Sequence, residues 1–293
     1  CLHQGNIKII GLIRNEEKAK RIYGKWYNNY GIHLMIGDIE QIPVIAGDVD
    51  YIFHTVSITA SKMMVQHQVL TIQTSYMGTK NKKIEGMVYV SSMEVYGIPD
   101  EKKEYITEKD LGYIELENVR SSYSEGKRIC ECLCNAYAAE FGLPVKSARL
   151  AQTFGAGVLQ EDNRVYAQFA RSAMKKENLV LRTDGSSEGN YCYTRDVIRA
   201  LLLLGYSGKV GEAYNVVNEK SHMTIREMAE LVANDVSNGE IKVEFDIPDE
   251  AKSLGYAPKV KMHLSSEKLN KLGWKAEVDM KEAYLRMMND MEA

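Results

Sequence analysis

The stretch "VYVSSMEVYG", residues 88–97, decides how this chain folds. With the two residues before it, "GMVYVSS" is a near-continuous apolar run that ends in two hydroxyls. A strand with one wet face alternates apolar and polar residues; a strand buried on both faces does not. The run therefore reads as a strand of a parallel sheet covered by helices. In such sheets ligands bind beyond the C-terminal strand ends. Ser92 stands at that end, and Glu94 follows two residues later.

The surrounding sequence repeats the theme. "IKIIGLI" (7–13), "IHLMIGD" (32–38) and "VDYIFHTVS" (49–57) read as strands, and "NEEKAKRIYGKWYNN" (15–29) as a helix. Downstream, "SEGKRICECLCNAYAAEFG" (124–142) is a long helix stopped by Gly142, with Pro144 beyond it. "PVKSARLAQTFG" (144–155) is the next strand. Strands alternating with helices predict a doubly wound Rossmann sheet over residues 1–155. After about Phe154 the rhythm changes. "VYAQFARSAMKK", "NLVLRTDG", "TIREMAELVANDV" and "IKVEFDI" predict a smaller mixed α+β region over 156–293. Residues 190–218, with "TRDVIRALLLLG" and "EAYNVVN", are expected to return to the main sheet. Thr224 with Glu227 three residues on forms a capping box.

Composition narrows the classes. The 293 residues are 45% hydrophobic, enough for a sizeable core, and a net charge of −3 gives no nucleic-acid footprint. The longest apolar run, "ALLLLGY" (200–206), falls far short of the ~18 residues a membrane span needs. No basic segment with an apolar core opens the sequence, so a cytoplasmic protein is expected. Of the five cysteines, Cys130, Cys132 and Cys134 lie together without a nearby histidine. They read as reduced thiols, and no metal is expected.

A doubly wound domain starts with a strand and a glycine-rich turn ahead of the first strand seen here. A preceding segment of roughly 20–30 residues is expected, and a shorter gap near Asn81 and Lys82. Gly205, Gly208 and Gly211 match the dinucleotide fingerprint by letters only. They follow a helix and precede a strand, the reverse of the required context.

The chemistry lies in "SSYSEGK" (121–127). Tyr123 and Lys127 are four apart on a predicted helix and share a face. A tyrosine alone has a pKa of ~10, too high for a base at neutral pH. A nearby ammonium favours the phenolate, which suits proton transfer from an alcohol under oxidation. Tyr76 and Lys80 have the same spacing but no serine-ended strand before them. Arg14, at the end of the first strand, is placed to accept the 2′-phosphate of NADP, or is an ordinary exposed arginine. Asp38 is a candidate adenine contact or a turn residue.

With these pieces in order, the chain resembles the extended short-chain dehydrogenase/reductases, in particular the NAD-dependent nucleotide-sugar epimerase/dehydratase family. The resemblance rests on "VDYIFHTVS", "VYVSSMEVYG", "SYSEGK", "EFGLPVKSARLAQTFGAG", "YCYTRDVIRALL" and "KLGWKAEVDMKEA". It implies a catalytic set in which Ser92 bonds the reacting sugar hydroxyl, Tyr123 is the acid/base, and Lys127 holds the nicotinamide ribose. It implies NAD or NADP as cofactor, a nucleotide-sugar substrate, a transient 4-keto hexose and a homodimer. The stripe Ile129, Leu133, Ala136 and Tyr137 would suit either the dimer face or ordinary core packing. Thr55 and Ser57 fall near the expected cofactor, and Gln152 matches a diphosphate donor. Gly189 stands where the family carries a basic residue for the diphosphate; Arg164 or Arg195 would replace it. Family dehydratases place Asp-Glu after the hydroxyl residue. Here the pair is Met93-Glu94, so the Asp is missing; decarboxylase-type members and some dehydratases keep a glutamate here, so Glu94 fits them, a UDP-glucuronate decarboxylase-like enzyme among them, better than a minimal 4-epimerase, unless it is structural. A carbonyl reductase for a small ketone and a non-catalytic NADP-binding regulator are the other readings.

Overall fold

The computed structural model describes residues 7–38, 43, 45, 47–55, 84–118, 120–159, 161–247 and 261–292. The first visible unit is a parallel pair, β1 (Ile9–Ile13) and β2 (Ile32–Ile36), joined by helix α1 (Glu16–Tyr23). The predicted helix ran to residue 29. It stops at Tyr23 because Gly24 takes a positive φ of 49° as its C-cap, a conformation costly for other residues.

Among the described residues the main sheet has four strands in the order β10-β5-β4-β3: Ala213–Val216, Val145–Leu150, Gly86–Ser92 and Tyr51–His54. All its ladders are parallel. The fold is thus the doubly wound α/β class that the strand–helix alternation predicts. β4 is buried along nearly its whole length, as its unbroken apolar run requires. Helix α2 (Ser121–Phe141) packs on one side, its Cys130 and Cys134 against Met87, Tyr89 and Val145. Helix α4 (Thr194–Ser207) packs through Val197, Ala200 and Leu204 against Val88, Ala148 and Val216. That packing is close: a Cβ on Gly86 would stand 2.3 Å from the Gly205 carbonyl oxygen. Gly205, Gly208 and Gly211 close α4 and lead into β10, so they form an αβ loop and no phosphate cradle.

Strand β6 (Gln152–Phe154) leaves the sheet and pairs with β9 (Tyr191–Tyr193). The C-terminal region adds helix α3 (Val165–Lys175), β7 (Leu179–Leu181) paired with β12 (Val243–Phe245), and β8 (Glu188–Gly189) antiparallel to β11 (Met223–Thr224). Helix α5 (Ile225–Leu231) opens on the expected capping box, and its last turn widens into a π-turn over Val232–Val236. Helices α6 (Glu267–Asn270) and α7 (Met280–Glu292) complete it. Phe154, Tyr166, Met228, Tyr284 and Met287 share one apolar core there. No helix among the described residues is long and apolar enough to cross a membrane.

Candidate active site

Ser92 ends β4 in extended backbone, and its Oγ accepts a hydrogen bond from the Glu94 amide at 3.2 Å. The hydroxyl therefore caps the short 3-10 turn Met93–Tyr96 and fixes where Glu94 leaves the strand. Gly97 ends that turn at φ 60°, where a Cβ would meet the Tyr113 carbonyl oxygen at 2.3 Å. Behind the turn, Arg128 on α2 donates to the Val95 and Gly112 carbonyls at 2.8 and 2.7 Å. Strand end, turn and helix are thus one tied unit.

Tyr123 lies in the first turn of α2 and is half-buried; Lys127, one turn on, is 2% exposed. The Lys127 ammonium donates to the Val90 carbonyl at 2.8 Å. It also lies 5.0 Å from the Tyr89 ring centre and 5.8 Å from that of Tyr123. Burial pushes its pKa down to about 8, while Cys130, Glu131 and Cys134 act the other way. Behind it His54, at the end of β3, is buried with neither ring nitrogen hydrogen-bonded among the described residues. Burial and the Lys127 charge push its pKa down to about 4, so the imidazole is neutral near neutral pH.

Glu94 joins this group from the other side. Burial of its carboxyl raises its pKa, against the opposing charge of Arg120 and a hydrogen bond with Ser124. Both partners flank Tyr123 on the chain. Ser92, Glu94, Tyr123 and Lys127 are therefore assembled where β4 ends and α2 begins. Sequence reasoning passed over Arg120 and Ser124. Their positions three before and one after the tyrosine carried the signal once Glu94 was placed opposite.

The remaining candidates are spread wider. Arg14 and Asp38 are exposed just past the parallel ends of β1 and β2. Thr55 is exposed after β3 on the sheet edge that carries Ser92; Ser57 lies outside the described residues. Tyr76 and Lys80 lie outside them too. Gln152 is half-buried at the start of β6, and its backbone N–H donates to the Asn190 backbone carbonyl at 3.1 Å. Arg164 is engaged by the Asp162 carboxylate and rests 5.0 Å from the Tyr166 ring centre. It lines a cavity of about 250 Å³ with Thr153, Gly157, Asp162 and Thr194. Arg195 pairs with Glu277 at 3.0 Å. At Gly189 a Cβ would meet nothing within 4 Å, so sterics do not demand glycine there. Among the described residues no cluster of three or more His, Cys, Asp or Glu could hold a metal, and Cys130, Cys132, Cys134 and Cys192 are free thiols.

The donor set fits the ribose end of a nicotinamide cofactor. The Lys127 ammonium has three N–H donors and, among the described residues, one hydrogen-bond acceptor, the Val90 carbonyl. The Tyr123 hydroxyl belongs to the same helix face. No glycine-rich strand–turn–helix for the pyrophosphate occurs among the described residues.

The sequence profile of the NAD dependent epimerase/dehydratase family matches residues 1–217. UDP-glucuronic acid decarboxylase 6 of Arabidopsis thaliana is 28% identical over 273 residues, covering 91% of this chain and 76% of that protein. Among solved structures, UDP-glucuronic acid 4-epimerase from Bacillus cereus, in complex with UDP-glucuronic acid and NAD, superimposes with a TM-score of 0.80 at 17% identity. That match covers 99% of this chain and 93% of the other. RMD from Pseudomonas aeruginosa, complexed with NADPH, gives 0.76 at 23% identity over 98% and 99% of the two chains. At these identities the two solved structures establish the fold.

Proposed function

The chain belongs to the NAD-dependent epimerase/dehydratase family and is an enzyme of that class, and from this premise we propose that it acts on a nucleotide-linked hexuronate. The sugar is oxidised at C4, and the 4-keto acid then loses its carboxylate as CO₂. A nicotinamide cofactor, when bound, would supply the redox chemistry at C4. Ser92 orients the C4 hydroxyl, and Tyr123 accepts its proton. Lys127 binds the ribose and stabilises the phenolate.

The observation that carries the decarboxylase reading is Glu94. Burial raises its pKa, and its carboxyl meets Ser124 and the charge of Arg120, which flank Tyr123 on the chain. Once C4 is a ketone, the C5 carboxylate is a β-keto acid. The C5–C6 bond breaks, its electron pair enters the ketone as an enolate, and CO₂ leaves. A proton must then reach C5. A carboxyl whose pKa is raised by burial is better suited to deliver it than an ordinary one, and the positive Arg120 is suited to face the substrate carboxylate before it departs. An epimerase that returns the hydride to the opposite face has no use for this second acid. One observation favours a carbonyl reductase for a small ketone instead: Gly189 leaves open the place of the diphosphate-binding base.

Several finer assignments follow. Arg14 favours NADP over NAD. Ile129 and Ala136 are exposed, with Leu133 and Tyr137 half-buried beside them, which supports a homodimer through α2. Residues 1–155, with 190–218, serve as the cofactor domain and 156–293 mainly as the substrate domain. Gln152 and Arg164 would meet the diphosphate, with Arg195 released from Glu277. The free thiols fit the cytoplasm.

The test is a panel of UDP-glucuronate, UDP-glucose, dTDP-glucose and GDP-mannose with NAD or NADP, followed by NMR of the products. A UDP-pentose and CO₂ are expected from UDP-glucuronate. Turnover of a neutral hexose alone would exclude the decarboxylase, and turnover of none would exclude a nucleotide-sugar enzyme. Glu94→Gln is expected to leave the initial C4 oxidation measurable while slowing CO₂ release by about 10²-fold or more.

A further inference from the structure

The buried side of α2 is polar where a helix packed on a sheet is ordinarily apolar. Lys127, Cys130, Glu131 and Cys134 all face inward. Glu131 is 8% exposed and is held from two strands. Arg149 of β5 grips it with two parallel bonds, Nε to Oε1 at 3.0 Å and Nη2 to Oε2 at 2.7 Å. Ser91 of β4 donates its hydroxyl to Oε1 at 2.5 Å. Arg149 is itself fixed, donating through Nη1 to the Tyr96 hydroxyl at 3.0 Å and the Glu108 carbonyl at 2.8 Å. A carboxylate held this way has little freedom to turn away.

Lys127 lies one helical turn earlier on the same face. Its surroundings would otherwise discharge it, since a buried ammonium loses solvation. The groups that face it are His54 from β3, the Tyr89 ring and Val90 carbonyl from β4, and Tyr123, Cys130, Glu131 and Cys134 from α2. His54 is neutral, and burial raises the pKa of both cysteine thiols, which keeps them protonated. Glu131 is the carboxylate of the set. Ser91 also ties it to the strand that carries both Val90 and Ser92.

We propose that Glu131 is a positioning residue for Lys127: a carboxylate locked by Arg149 and Ser91 keeps the buried ammonium charged and seated on the Val90 carbonyl, ready for the cofactor ribose and Tyr123. This rests on Lys127 being the partner of Tyr123, but its test needs no substrate. The Lys127 side chain is followed through a pH titration by heteronuclear NMR of lysine-labelled protein, with Lys127→Met assigning the signal. Glu131→Gln keeps one acceptor oxygen for Ser91 and Arg149 Nε, replaces the oxygen that accepts from Arg149 Nη2 by an amide NH₂, and removes the charge. It is expected to lower the Lys127 midpoint by about 0.5–1 pH unit. If the unpaired Arg149 prevents folding, Glu131→Met/Arg149→Met removes both charges, a replacement that buried ion pairs commonly tolerate. The same downward shift is expected there. A midpoint within about 0.2 unit of the parent protein, in whichever variant folds, overturns the proposal. A shifted midpoint in a protein that turns over no nucleotide sugar upholds it and counts against the decarboxylase reading alone.

Discussion

In the C-terminal region the core is built from Phe154, Tyr166, Leu179, Met228, Tyr284 and Met287, with aromatic ring centres 4.9 and 5.2 Å from Phe154. Behind the C-terminal end of the parallel sheet the buried side chains include Lys127, Glu131, Arg149 and Asn215. The first interior excludes water and asks only for shape. The second spends desolvation energy on charges and recovers it through paired hydrogen bonds that fix direction. The difference teaches where this molecule fixes geometry: around the junction of β4 with α2, where the candidate site lies.

That contrast can be broken by substitution. Tyr123→Phe removes a proton acceptor and touches neither core. It is expected to cut turnover about 10²- to 10⁴-fold with the melting temperature unchanged, read by steady-state rates beside calorimetry. Arg149→Met leaves the Glu131 carboxylate buried and unpaired and should cost about 3–5 kcal/mol in denaturant unfolding. Phe154→Ala, which opens a cavity in the apolar core, should cost a similar 3–5 kcal/mol. The distinction lies in repair. Adding Glu131→Met to Arg149→Met should restore most of the lost stability but not the rate. If the double variant recovers both, the charges serve only packing and the contrast fails.

His54 gives a pH test of the same interior. Folded His54 stays neutral down to about pH 4, against an ordinary value of 6.5. The unfolded chain takes its proton first, so the native state keeps its full stability from this group above pH 6.5. It loses it as pH falls through about 4. The loss should be about 3 kcal/mol, and His54→Leu should remove that part of the acid limb. A variant that follows the parent curve would place the acid sensitivity elsewhere. The smallest expected effect is at the rim of the apolar lobe. Thr224→Ala removes the hydroxyl that accepts the Glu227 amide at 3.0 Å and should cost about 1 kcal/mol with no change in rate.

Much of the fold was legible because burial on two faces leaves an unbroken apolar run, as in β4. The long helix α2 was legible from its period and from Gly142, and the capping box from Thr224 and Glu227. Strand β5 was read correctly as a strand, but not the roles of its charges. "VKSARL" carries Lys146 and Arg149, which a linear reading assigns to solvent. Both are buried, one on the Gly205 carbonyl at 3.1 Å and the other on Glu131. The first helix was read too long because its end depends on the backbone angle at Gly24, which the residue type permits without dictating.

The candidate site divides in the same way. Ser92 at a strand end, and Tyr123 four residues before Lys127, are local patterns set by the periods of strand and helix. The sequence by itself determined those, and with them the cofactor class and the family. Arg120 and Ser124 around Glu94, the Val90 carbonyl under Lys127, and the clamp of Ser91 and Arg149 on Glu131 join residues up to 40 positions apart. Only the tertiary structure decided them, because the strength of a buried charge contact depends on distance and desolvation, and neither is written in the order of residues along the chain.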